Sequence, residues 1–283
     1  MLKTNYHTHT TFCDGKNTAE EMVNAAIKAN FDILGFSSHS MYPFGSTWHL
    51  SPSNHDEYCD KINWLKETYR SQLEIYLGFE ADFIDGICNP HFSNYREFSP
   101  DYLIGAVHYV PGNTGYFEAD GSFDEVRQKI DSVFKGNVKK AVQAYFAAER
   151  EMLKKGSFTF MAHPDLIRKQ NSLKNEKGPL FNENESWYKK EISLTAKDIA
   201  QAGVCVEINT GGMARGYMDL PYPSAYFMEK LFEYKVPLTI NSDSHSVKTL
   251  DYWFEEAVQY AKKTGYKELM FFRSGHLESQ SIQ

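Results

Sequence analysis

Cysteine is scarce in this sequence and never paired. Cys13, Cys59, Cys88 and Cys205 are the only four, and none stands in a C-x-x-C spacing, so neither a zinc ribbon nor a dithiol redox motif is present. Their scatter fits reduced thiols in a cytosolic protein. Cys13, beside Asp14, reads as an ordinary packed thiol. Long apolar runs are missing as well. Nothing approaches the roughly 20 residues needed to cross a bilayer, and the N-terminus shows no apolar core of a secretory signal. The expectation is a cytoplasmic protein with no membrane partner. Positive charge is also short: 30 Lys and Arg against 37 Asp and Glu give a net charge of −7, and the pI is near 5.8. Without a basic run, such a chain is a poor candidate for binding nucleic acid. Finally, no glycine-rich dinucleotide fingerprint follows the first strand pattern.

What the sequence does hold is apolar and aromatic bulk. Hydrophobic residues make up 42%, with 18 Tyr and 20 Phe, enough for a sizeable core with large side chains between helices and sheet. No linker or internal repeat interrupts residues 1–283, so a single domain is expected.

Short apolar runs alternate with longer helical patterns. Strands are predicted at 3–7, 31–39, 73–82, 101–109, 157–165, 204–210 and 236–245. Helices are predicted at 18–30, 53–72, 123–134, 137–155, 194–203, 224–235 and 250–265, the first opened by a capping box of Thr18 and Glu21. Residues 266–275 read as a last short strand or closing segment. Alternation of this kind implies a parallel sheet with crossover helices. Seven or so such units suggest an α/β fold closed as a barrel of the TIM type, with an open doubly wound sheet as the alternative. The polar stretch 169–190 has little periodicity and reads as a surface loop or lid.

One motif opens the question of function. NYHTHTTFCDG places His7 and His9 at i and i+2, with Asp14 five residues on. In a strand, alternate side chains share a face, so the two imidazoles would project together as half of a metal site. With 10 His in 283 residues, an H-x-H arises by chance about one time in three, so the motif alone decides little. The rest of the chain decides more. His39 ends the second predicted strand, Glu80 the third, His108 the fourth and His163 the fifth, while Asp243 and His245 end the seventh. In a parallel barrel the strand C-termini share one mouth, where active sites are built. Nine ligand-type side chains would meet there, too many for one zinc and enough for two or three metals with bridging carboxylates. Imidazole and carboxylate without clustered thiolate suit Zn, Mn or Fe. His49, His55, His91 and His276 fall elsewhere, with His49 in an aromatic loop near the expected mouth.

The ordered set HTH, SSH, GFEAD, AVHY, AHPD and NSDSH resembles the polymerase and histidinol phosphatase (PHP) superfamily, from residue 7 to about 245. The HPDLIR and NTGGMARG segments, with the chain's size, bring it nearest to the stand-alone histidinol-phosphate phosphatases of that superfamily. The resemblance implies a distorted seven-stranded barrel holding three divalent ions. Carried over by position, His7, His9, Glu80 and Asp243 would hold the first, Asp14, His39 and His245 the second, and Glu80, His108 and His163 the third. Asp14 stands where some relatives have histidine. The implied activity is hydrolysis of a small phosphomonoester, L-histidinol phosphate in histidine biosynthesis, by a metal-bridged hydroxide attacking phosphorus. Asp243 and His245 are the expected catalytic pair.

Charge agrees with that expectation. Three divalent ions against Asp14, Glu80 and Asp243 leave a site of about +3, which attracts a phosphate dianion. Arg168 and Arg215 are candidate phosphate-binding residues, since a guanidinium pairs with phosphate oxygens in a fork; a surface salt bridge is the plainer reading of each. Glu207 and Asn209 read as supports for ligands. Asp165, Tyr42, Trp48 and Tyr116 are candidates to hold the leaving group. A phosphodiesterase, a protein-tyrosine phosphatase and a non-catalytic metal-bound module are the competing readings.

Overall fold

A computed structural model describes residues 1–40, 46–112, 114–172 and 176–283. Seven parallel strands form one sheet that curls into a nearly closed barrel. In chain order they are β1 (Thr4–Asn5), β2 (Ile33–Ser40), β3 (Glu74–Asp82), β4 (Tyr102–Ala106), β7 (Phe160–Met161), β8 (Cys205–Asn209) and β9 (Leu238–Asn241), and their spatial order is the same. Helices α1 (Ala19–Lys28), α2 (His55–Tyr69), α3 (Phe123–Phe134), α4 (Val138–Lys155), α5 (Ser186–Ala202), α7 (Ala225–Glu233) and α8 (Phe254–Thr264) lie between strands or after the last one, with a short α6 (Gly211–Ala214) directly after β8. Every residue of β2, β4, β8 and β9 is buried, as expected of strands covered on both faces.

The helices start where side chains can satisfy their first amides. Thr18 and Glu21 form a capping box at α1, and Ser122 and Glu125 repeat it at α3. The barrel closes between its first and last strands, where Thr8 bridges Ser244 in parallel. Two backbone bonds hold that seam, His9 N–H to the Ser244 carbonyl at 2.8 Å and Ser244 N–H to the His7 carbonyl at 3.1 Å.

The lower barrel is filled by aromatic rings. Tyr6, Tyr102, Phe160 and Phe272 stack and edge against one another with centroids 5.0–6.4 Å apart. Burying each such ring contributes about 2 kcal/mol. Their polar ends are paired: the Tyr102 hydroxyl donates to the Tyr6 carbonyl at 2.6 Å, and Tyr6 exchanges two 2.8 Å bonds with the Phe272 backbone. Phe272 belongs to an antiparallel hairpin, β10 (Glu268–Arg273) and β11 (His276–Ser281), that closes the barrel floor. A second antiparallel hairpin, β5 (Tyr109–Gly112) and β6 (Gly115–Glu118), rises beside the mouth.

The barrel expectation holds, and the departures from the predicted elements are local. The predicted strand at 157–165 shrinks to two ladder residues because the chain turns at His163. The predicted loop at 169–190 is helical at its two ends, since Leu166–Asn171 is a 3-10 helix whose Arg168 and Gln170 are buried and α5 begins at Ser186, while the described residues between them form turns and bends. No described helix is long and apolar enough to cross a membrane.

Candidate metal centre

Glu80 is the middle of the site. It lies in β3 beside His39 of β2 in register, and it is fully buried. Five imidazoles surround its carboxylate. His39 Nδ1 is 2.7 Å, His7 Nε2 3.2 Å and His9 Nε2 3.6 Å from Oε2. His163 Nε2 is 3.1 Å and His108 Nε2 3.6 Å from Oε1. Asp243 Oδ1 adds a second carboxylate 3.3 Å from His9 Nε2. Asp14 Oδ2 stands 3.2 Å from His245 Nε2.

These atoms fall into three groups whose ligand atoms lie mutually within 4.8 Å: His9, Asp14, His39 and His245; His7, His9 and Asp243; His39, Glu80 and His108. All nine sequence-predicted ligands thus meet at the mouth. The sharing differs from the family pattern, since His9 and His39 each serve two groups, while His163 approaches Glu80 without joining a group.

Several atoms at the centre lack hydrogen-bond partners. His7 Nε2, His9 Nε2, His39 Nδ1 and Glu80 Oε2 are buried and unsatisfied. Each such orphan costs about 1–3 kcal/mol, and cations between them would remove that cost. The donor set therefore fits divalent ions, and imidazole with carboxylate suits Zn, Mn or Fe. Cys13 adds no thiolate: its sulfur lies 3.5 Å from His9 Nδ1, but burial and then Asp14 push the thiol up to about 11.

A further layer aims the ligands. His7 donates Nδ1–H to Glu207 at 2.9 Å, leaving Nε2 for the centre. His108 donates Nδ1–H to Asp82 at 2.9 Å in the same way. Such carboxylates fix tautomer and ring orientation. Burial opposes charge on His7, but Glu207, Glu80 and Asp243 outweigh it and raise its pKa well above the usual value. For His108, Asp82 and Glu80 overcome burial and raise it to about 10. Burial and then the neighbouring His245 and His39 hold His9 near 3, hence neutral.

Backbone geometry places the remaining carboxylates. Asp243 sits at φ +47°, a costly conformation for a residue with a side chain. A Cβ at Gly211 would lie 2.8 Å from the Asp243 Cβ and 2.9 Å from its Oδ2, so only glycine lets α6 pass there. A Cβ at Gly15 would meet the Thr10 amide nitrogen at 2.5 Å, which is why glycine follows Asp14 in its tight turn.

The other predicted residues divide. Arg215 faces the site, with Nη2 3.0 Å from Asp243 Oδ2 and Nη1 2.9 Å from His245 Nδ1. Arg168 is buried, with its guanidinium donating to Asp165 at 3.2 Å and to the Pro221 carbonyl. The cavity over the centre, about 300 Å³, is lined by Lys169 and not by Arg168. Trp48 lines it too. Asp165 instead accepts from Arg168 and from the Ser224 amide, and Tyr116 is exposed. Tyr42 lies outside the described residues. His49 is buried with Nε2 3.9 Å from Asp82 Oδ2, and His55 stacks on Phe98 at 5.0 Å. Sequence reasoning missed Glu118, Asp120, Lys169 and Tyr217, which line the cavity. The turn signal PGNTG was the one clue to the hairpin that brings the first two there. A larger cavity of about 670 Å³ lies between the chain's first residues, the start of α8 and β10, and none of the candidate ligands lines it.

A parallel barrel with histidines and carboxylates gathered at its C-terminal mouth defines a class, the barrel enzymes that work through divalent cations. Within that class the family is explicit. A family model described as the PHP domain matches residues 5–211, and the chain belongs to that family. It is 23% identical over 272 residues to the histidinol-phosphatase of Bacillus subtilis, covering 90% of this chain and 98% of the relative. Its fold is similar to the crystal structure of histidinol phosphate phosphatase from Lactococcus lactis, solved with zinc, L-histidinol and phosphate. The TM-score is 0.73 at 20% identity, with 98% of each chain covered.

Proposed function

We propose that this protein is a metal-dependent phosphomonoesterase that hydrolyses L-histidinol phosphate to L-histidinol and phosphate, a reaction of histidine biosynthesis. The convergence of five histidines on the buried Glu80, beneath a cavity rimmed by Lys169 and Arg215, carries the reading. The relatives' names support the choice of substrate.

Three ions are proposed. His7, His9, Glu80 and Asp243 would hold one; Asp14, His39 and His245 a second; Glu80, His108 and His163 a third. When bound, divalent ions supply positive charge against the phosphoryl oxygens and acidify coordinated water.

The chain's own groups do the rest. Arg215 already donates from Nη1 and Nη2 to Asp243 and His245, and its remaining N–H groups are the ones it would offer to phosphate oxygens. Lys169 adds a point charge at the rim. Arg168 keeps its proposed link to phosphate only by leaving the Pro221 carbonyl; as placed, it braces the turn that follows His163. Asp243 takes a proton from the attacking water as the oxygen–phosphorus bond forms in line. Asp243 passes that proton on to solvent, and the leaving oxygen is protonated from solvent as the ester bond breaks, while His245, its Nδ1 accepting from Arg215, stays in place beside Asp14. Glu118 and Asp120 would face the leaving group, whose amine carries positive charge, and Trp48 offers its imidazole an aromatic face.

Steady-state turnover tests this reading. L-Histidinol phosphate would be compared with a phosphodiester and a phosphotyrosine peptide, in the presence of Mn or Zn. The proposal expects kcat/KM for histidinol phosphate to exceed both by orders of magnitude. Preference for the diester or the peptide would overturn the substrate and leave the centre standing.

A further inference from the structure

The turn from His163 to Leu166 carries one imidazole of the centre, yet the sheet does not hold it. The β7 ladder pairs only Phe160 and Met161 with their neighbours, and the last backbone bond to β4 is Ala162 N–H to the Gly105 carbonyl at 2.9 Å. Beyond that point the turn keeps one backbone bond of its own, Leu166 N–H to the His163 carbonyl at 2.9 Å, and is otherwise held by side chains. From the β8 side, Glu207 accepts the His163 N–H at 3.1 Å. From the α4 side the partner is Tyr145.

Tyr145 and Glu149 are four residues apart on α4, so they share its inner face, and both are fully buried. The Tyr145 hydroxyl lies 2.7 Å from Glu149 Oε1 and accepts the Leu166 N–H at 3.2 Å. The His163 carbonyl is 3.5 Å away. With its proton directed to Glu149, the hydroxyl turns its lone pairs to the Leu166 amide. Glu149 is a costly choice for a buried position: its Oε2 has no hydrogen-bond partner, which an apolar residue of similar size would avoid. Among the described residues, its carboxyl group is hydrogen-bonded to Tyr145.

We infer that Tyr145 and Glu149 are positioning residues for the reaction, a hydroxyl–carboxyl pair that holds the His163–Leu166 turn and so keeps the His163 imidazole beside Glu80. The inference rests on the proposed function only in taking His163 as a metal ligand.

The test is metal loading of the stripped full-length protein, read as bound metal against free Zn or Mn, for the wild type and for Y145F, E149L and E149Q. Supporting contacts behind a ligand typically change affinity about 10–100-fold. Y145F and E149L are expected to need about tenfold more free metal to fill one class of site while the other sites fill normally. Their kcat/KM falls at limiting metal and recovers at saturation. E149Q, which still offers an amide to the tyrosine hydroxyl, stays close to wild type, so loss in E149L cannot be put down to general unfolding. Equal loading curves for Y145F and wild type would overturn the inference, whatever happens to Tm. A wild type that loads metal, with weakened Y145F, but ignores histidinol phosphate would sink the substrate reading and leave this one intact. A wild type that binds no divalent ion would overturn both.

Discussion

Glu207 reaches no open space, yet four groups depend on it. It accepts from His7 Nδ1, the His163 amide, Asn209 and Asn241. E207Q keeps the shape but presents only one acceptor oxygen, so metal affinity is expected to fall about 10–100-fold with the fold retained; equilibrium dialysis with a far-UV CD spectrum checks it. The same residues set a pH dependence. In the metal-free protein His7 is pushed up by Glu207, Glu80 and Asp243 against burial, and His108 reaches about 10. His108 therefore carries a proton at neutral pH, and His7 is biased toward its charged form. Their folded-state pKa values are raised, so the stability they lend the metal-free protein is present below the unfolded value of about 6.5. It is lost as pH rises toward about 10 for His108. Metal takes the neutral imidazole. Loading must then expel protons, and affinity must rise with pH. Calorimetry in buffers of different ionisation enthalpy counts those protons; a count of zero at pH 7 contradicts the assignment. At this scale the residues that converge on Glu80 were legible as candidate ligands because each is a histidine or carboxylate at the end of an apolar run. Lys169 was not, since a lysine in a polar stretch looks like solvent-exposed chain until its ammonium is seen on Asp120 at 2.8 Å.

Among the elements, the short α6 after β8 matters beyond its size. It begins at Gly211, packed against Asp243 so closely that a methyl group has no room. G211A should push the Asp243 carboxylate by a fraction of an ångström or more. Misplacement on that scale costs about 100-fold in rate, so kcat/KM should drop about that far while Tm changes little. A variant with normal turnover would show that Asp243 tolerates movement and would weaken its role as proton acceptor. The elements themselves were read unevenly from sequence. Strands β2 and β3 were plain because burial on both faces makes an unbroken apolar run. The hairpin of β5 and β6 was missed because its strands are four residues each and half exposed. The polar run 169–190 misled because Gln170 is buried by its bonds to the Ala119 and Gly121 carbonyls, a long-range contact no local pattern announces.

For the molecule as a whole, the parallel barrel is what turns scattered residues into one site. His7 and His245 are 238 positions apart, and only closure between the first and last strands at Thr8 and Ser244 brings them together. That closure also lets an acidic chain attract a phosphate ester: the net charge of −7 is not the charge of the mouth, where Arg215 and the proposed divalent ions would set the field. The central claim is that this mouth works through divalent ions on histidinol phosphate. The most direct measurement is phosphate release from L-histidinol phosphate by chelator-stripped protein before and after adding back Zn or Mn. The account predicts turnover near background when stripped and restored by metal. Undiminished turnover by protein shown to be metal-free would contradict it.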